Sequence, residues 1–154
     1  MIETPSIVQT TPQHTAIIHV IVPRDEIQTV MGPAISEIFQ TIGAQGIAPT
    51  GPWFTHHRRR PTETFDFEAS VPVAAPIAPA GRVQPSQWPA MRVARTVYQG
   101  PYEGLGEAWA EFLKWIEAQG LKTKDDLWEC YLVGPESGPD ATTYRTQLNR
   151  PLID

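Results

Sequence analysis

The sequence repeats itself. "VQTTPQHTAIIHVIV" begins at Val8 and "VQPSQWPAMRVARTV" at Val83, 75 positions later; "AQGI" begins at Ala44 and "AQGL" at Ala118, 74 later. "FEASVP" ends at Pro72 and "TQLNRP" at Pro151. Two copies at this spacing predict a pseudo-twofold domain, because a solenoid needs at least three stacked repeats. The half repeats run from about 6 to 73 and from 82 to 152. Together they are expected to make one domain over 1–154, a length that suits a single core.

Each half reads strand, helix, strand, strand. Ile27, Val30, Met31, Ile35, Ile38, Phe39 and Ile42 recur at spacings near three and four, which is one apolar stripe of a helix. Gly32-Pro33 interrupts the stripe, and proline disrupts a helix interior. The reading is therefore a short turn from about Asp25 and a main helix from Gly32 to Gln45, closed by Gly46. The second stripe, Leu105, Trp109, Phe112, Leu113 and Ile116, predicts a helix from about Tyr102 to Gln119, closed by Gly120. Strands are expected at His14–Val22, Trp53–Arg59, Glu63–Val73, Met91–Tyr98, Asp126–Val133 and Thr142–Arg150. "VAAPIAPAGRVQPSQ", Val73 to Gln87, reads as an ordered crossover between the halves. These elements imply an α+β fold: duplicated β-α-β-β units, an antiparallel sheet, two main helices, and a central ligand groove where the copies meet.

Charge narrows the function. The formal net charge is −5, and only "HHRRRP", His56 to Pro61, is locally basic. A nucleic-acid binder presents a basic face, so no direct nucleic-acid partner is expected. No apolar run approaches the roughly 18 residues of a membrane span. "MIETPSIVQT" lacks the basic and apolar regions of a signal peptide, which points to the cytoplasm. Cys130 is the one cysteine and has no internal disulfide partner. His14, His19, His56 and His57 show no metal-ligand spacing with it. No P-loop, dinucleotide fingerprint or nucleophile elbow occurs, so neither metal nor cofactor is expected.

One residue stands out against this background. In "LWECYLVGP" the side chains alternate faces, placing Leu127, Glu129, Tyr131 and Val133 together. A carboxylate among apolar neighbours pairs with a cation such as Arg92, Arg95 or Arg145, lies at an exposed rim, takes up a proton, or waits for a cationic ligand. Burial also raises a carboxyl pKa, which suits general acid–base work. Glu68, in "TFDFEASVP", shares a face with Asp66 and Ser70; its repeat counterpart, four residues before Pro151, is Gln147. Trp88, in "PSQWPAM", reads as a loop tryptophan able to serve as a lid or wall. Tyr102 stands where the chain turns into the second helix. Aromatic faces beside a carboxylate attract flat or cationic ligands, each contact being worth ~0.5–2 kcal/mol.

The run "RVARTVYQGPYEGLGEAWAEFLKWIEAQGL", the strand "WECYLVGP" and the final "RTQLNRPL" resemble the GyrI-like small-molecule-binding family. They are also similar to the effector domains of multidrug-responsive regulators of the MerR and AraC classes. The resemblance implies a groove for hydrophobic, aromatic or cationic compounds, with Glu129 on its floor and Tyr131 beside it. Family members often carry a further glutamate at the position of Gln147, so the neutral amide here is a departure, and Glu68 becomes the candidate for a second charge. The candidate ligand-binding set is Glu129, Glu68, Trp88, Tyr131, Tyr102, Trp53, His57, Trp109 and Gln147.

With no basic helix-turn-helix before the domain, the expectation is a stand-alone binding protein that sequesters a drug or toxin. The alternative the resemblance brings is a hydrolase that opens the cyclopropane of DNA-alkylating natural products by adding water. Glu129 would then be the general base, and Tyr131 or Tyr102 the hydroxyl donor. A third role in the family is as the inhibitory partner of a topoisomerase.

Overall fold

A computed structural model describes residues 2–59 and 62–153. The end of the basic run, Arg60 and Pro61, lies outside them. The fold is α+β, with eight strands, antiparallel pairing and two main helices. In chain order these are β1 (Ser6–Gln9), β2 (Gln13–Pro23), α1 (Ile27–Ala44), β3 (Phe54–His57), β4 (Thr64–Pro72) and β5 (Gln84–Trp88). There follow β6 (Arg92–Gln99), α2 (Leu105–Ala118), β7 (Leu127–Val133) and β8 (Arg145–Pro151). Among the described residues no helix is long and apolar enough to cross a membrane.

The chain divides into two compact units, Thr11–Ala90 and Met1–Thr10 with Met91–Asp154. In the first, the strands run β3-β4-β2-β5; in the second, β7-β8-β6-β1. The two orders match element for element, as the internal repeat predicts. The units differ from the contiguous half repeats in one respect: the leading strands are exchanged. β1 pairs with β6, and β5 pairs with β2.

Each helix covers one face of its own unit's strands. Ile38 and Ile42 of α1 bury against Ala16, Ile18, Phe67, Ala69 and Val71. Trp109, Phe112 and Ile116 of α2 bury against Ala94, Tyr98, Leu127 and Leu148. Gly46 and Gly120, just beyond the helices, have φ of 67° and 70°, the left-handed geometry that lets the chain leave a helix without a Cβ clash.

Four expectations are corrected. First, α1 runs unbroken through Pro33. Losing one helical hydrogen bond to proline costs about 3 kcal/mol. The turns before it carry Ile27, Val30 and Met31, which pack on the same core as the rest of the helix and offset that cost. Second, the crossover after Val73 contains strand β5, and Ile77 within it is buried. Third, β1 is a further strand. Both missed strands are short, and both lie at an edge of their unit, where Pro85 of β5 is tolerated. Fourth, the last strand begins at Arg145 rather than Thr142. The Asp140 carboxylate accepts the Thr142 amide at 3.1 Å and its hydroxyl at 2.6 Å, folding Ala141–Thr143 into a 3-10 turn.

The segment "YQGPYEG" owes its shape to Tyr98. Its hydroxyl donates to the Pro101 carbonyl at 2.8 Å. A Cβ at Gly100, where φ is 144°, would stand 2.7 Å from that hydroxyl oxygen, and one at Gly104 would overlap it outright. Gly104→Ala must therefore shift a buried ring. It should destabilise the protein by about 1–3 kcal/mol, read as a lower urea midpoint with an unchanged m-value.

Candidate functional site

Alternation along β7 sends Leu127, Glu129 and Tyr131 to the face covered by α2, where Leu127 joins the core. Glu129 is 8% exposed. Trp109, one helical stripe position on α2, donates its indole Nε1–H to Glu129 Oε2 at 2.6 Å. Tyr131 donates its hydroxyl to Oε1 at 2.7 Å. Both carboxylate oxygens are thus held by short bonds from neutral donors, the charge-assisted kind that are roughly twice as strong as neutral pairs. Two of the arginines that might have neutralised Glu129 are engaged elsewhere. Arg95 Nε donates to Asn149 Oδ1 at 2.6 Å, and Arg145 pairs with Glu3 at 2.7 Å.

Aromatic rings extend this group. Tyr102 meets Tyr131 edge to face, with centroids 5.9 Å apart, and tilts against Tyr144 at 5.3 Å. Tyr144 is buried and donates to the Gly138 carbonyl at 3.3 Å. Sequence reasoning missed Tyr144 because it fell inside the strand expected from Thr142; only the Asp140 turn reveals it as a loop residue beside Tyr102.

The remaining candidates lie elsewhere. Gln147 stands across from Cys130, not Glu129, so it occupies the face of β8 turned away from α2. There it accepts from Asn149 Nδ2 at 3.2 Å. Burial pushes the neighbouring Cys130 thiol up to about 12, which leaves it a neutral packing group.

Glu68, His57, Trp88 and Trp53 belong to the other unit. Glu68 lies on the face turned away from α1, 3.4 Å from both His56 Nδ1 and an Arg58 nitrogen. Trp88 is not a loop residue: it ends β5, is buried, and packs edge-on against Phe54 at 5.0 Å. Trp53 packs beside the α1 core.

His57 is the more informative of these. By register, Thr55 faces Ala69 in β4 as Glu129 faces Leu148 in β8, and His57 faces Phe67 as Tyr131 faces Thr146. Thr55 and His57, both buried, are 3.0 Å apart through Oγ1 and Nε2. The repeat therefore places a hydrogen-bonded pair at the same two positions in each unit, but only one pair contains a carboxylate.

Glu68 makes a pH prediction. Burial raises its pKa, yet the His56 hydrogen bond and the charges of His56, Arg58 and His19 outweigh burial and lower it overall. A carboxyl depressed by folding stabilises the native state above its unfolded pKa of about 4.3, and this is lost as pH falls through the folded value. Glu68→Gln should lower stability at neutral pH and flatten the wild-type loss below about pH 4, as read from urea unfolding across pH.

Comparison with known proteins places the fold. The fold is similar to the EcmrR C-terminal domain, with a TM-score of 0.87 and 18% identity over 98% of each chain. It is equally similar to EcmrR in its complex with DNA, at 20% identity, where the chain spans 57% of the longer protein. A structure of SAV2435 bound to tetraphenylphosphonium matches with a TM-score of 0.64 and 11% identity, over 98% of this chain and 94% of that one. A hydrolase from Listeria innocua matches at 0.69 and 12%, over 97% and 91%. No curated protein matches the chain. Residues 3–149 match the GyrI-like small molecule binding domain, and the chain belongs to that family.

Proposed function

We propose that this protein binds hydrophobic aromatic cations, with Glu129 as the counter-charge. The observation that carries the reading is the buried Glu129 carboxylate held by Trp109 and Tyr131. Each of its oxygens accepts a short bond from a neutral aromatic donor, and neither of these two contacts brings a positive charge. A desolvated charge of this kind is costly by itself and gains most from an incoming cation. The surrounding rings of Trp109, Tyr131 and Tyr102 supply flat apolar surface and cation–π attraction. An aromatic cation matches both features, and tetraphenylphosphonium, the compound bound to SAV2435, is a suitable probe.

At an effective dielectric of 20, opposite charges about 4 Å apart attract by about 4 kcal/mol, part of which is offset by desolvation. Trp109 touches the carboxylate directly, so its fluorescence reports occupancy. Glu129→Gln should weaken tetraphenylphosphonium at least tenfold in a quenching titration while leaving neutral triphenylphosphine oxide within twofold. Equal affinity of wild type and variant for the cation would defeat the electrostatic role.

A second reading, hydrolysis, is favoured by one contact, the short Tyr131–Glu129 bond, which couples a carboxylate to a hydroxyl donor. In this reading Glu129 takes a proton from water as the water oxygen bonds to a cyclopropane carbon. The ring C–C bond breaks towards a conjugated carbonyl, and the resulting oxyanion is stabilised and then protonated by Tyr131 or Tyr102. Mass spectrometry after incubation with a cyclopropane-bearing alkylator should find a product heavier by one water, absent with Glu129→Gln. Intact substrate at excess enzyme would leave binding alone.

A further inference from the structure

The face of the β7-β8-β6-β1 strands turned away from α2 carries a second charged group. Arg95 of β6 is partly buried there, and its Nε donates to Asn149 Oδ1 at 2.6 Å. Asn149 is fully buried, and its amide nitrogen donates to Gln147 Oε1 at 3.2 Å. This chain of amides fixes the plane of the guanidinium. Ser6 of β1 stands directly across from Arg95 and completes the row.

Arginine has five N–H donors in a rigid fork, and Asn149 uses one of them. Among the described residues no carboxylate pairs with Arg95. Its neighbour Cys130 is a neutral thiol, since burial holds that group up to about 12. Burial also lowers the pKa of Arg95, with Cys130 the sole opposing influence. The cation is thus partly desolvated, oriented and uncompensated. Two residues along the same strand begins a hollow of about 540 Å³, lined by Val97, Gln99, Thr142, Ile2, Glu3 and Thr4.

We infer that Arg95, oriented by Asn149 and Gln147, is a binding site for the carboxylate of a small organic acid whose body lies in the hollow beside Val97. Guanidinium and carboxylate are both planar and match through two parallel hydrogen bonds. Arg95 stands among neutral amides, and the carboxylate that lines the hollow, Glu3, is already paired with Arg145 at 2.7 Å, which leaves a single cation suited to a monoanion. A phosphate dianion would leave one charge unmatched in a protein of formal net charge −5. The apolar side chain of Val97, on the same face of β6 as Arg95, favours a hydrocarbon or ring substituent. This site is separate from Glu129, which lies on the opposite face of β7, and selects the opposite charge.

Benzoate is the probe, followed by calorimetry and by the Arg95 Nε–H resonance in ¹H–¹⁵N spectra. Wild type should bind benzoate in the millimolar range or tighter and shift that resonance. Arg95→Gln should weaken binding at least tenfold. Arg95→Lys, which keeps the charge but loses the fork, should fall between the two. Tetraphenylphosphonium titration of each variant should remain at the wild-type value, which reports an intact fold. Absence of benzoate binding, an unmoved Arg95 resonance, or unchanged affinity in Arg95→Gln would overturn the proposal. Tighter binding of inorganic phosphate than of benzoate would overturn its carboxylate assignment.

Discussion

The site depends on a carboxylate that is buried and gripped at both oxygens by aromatic donors. Glu129 is buried on the strand face that packs under α2, and Trp109 and Tyr131 each hold one of its oxygens. The indole and phenol donors fix its geometry. They also bring aromatic faces, so the groups that orient the acid can themselves contact a ligand. Tyr131 leans on Tyr102, and Tyr102 on Tyr144, so the order of this corner rests on the loop and turn segments before α2 and β8.

Duplication explains why the two units have comparable pairs and different chemistry. Thr55 and His57 occupy the positions of Glu129 and Tyr131, on the helix-covered face of their own strands. The faces turned away from the helices have diverged in the opposite sense. There one unit holds Glu68 with His56 and Arg58, while the other holds Gln147 with Asn149 and Arg95. At the repeat-related strand positions, the carboxylate thus falls on the helix-covered face in one copy (Glu129) and on the opposite face in the other (Glu68).

Much of this was legible in the sequence. The repeat foretold the matching strand orders, and the glycines after each apolar stripe marked the helix ends. Period-two alternation put Glu129 and Tyr131 on one face, and register counting linked Glu68 to Gln147. The contacts that determine function were less visible. Trp109 reads as one more core residue of an amphipathic helix until β7 is laid beneath it. β1 and β5 have no strong alternation, because edge strands need little burial on either side. Pro33 argued locally against a helix that its apolar neighbours secure. Trp88 looked like a loop residue because nothing in "PSQW" reveals that β2 lies alongside it.

The exchange of leading strands has a consequence for synthesis. The stretch Thr11–Ala90 is continuous, so its partners emerge from the ribosome in sequence. The strand before it does not have that advantage: Val8 pairs with Val93. At a translation speed of about 5–20 residues per second, the nascent edge must wait roughly 4–17 s for its complement. During that interval Ser6–Gln9 has no complement to pair with, and its flanking serine, glutamine and threonine make it a poorly hydrophobic template for any other strand.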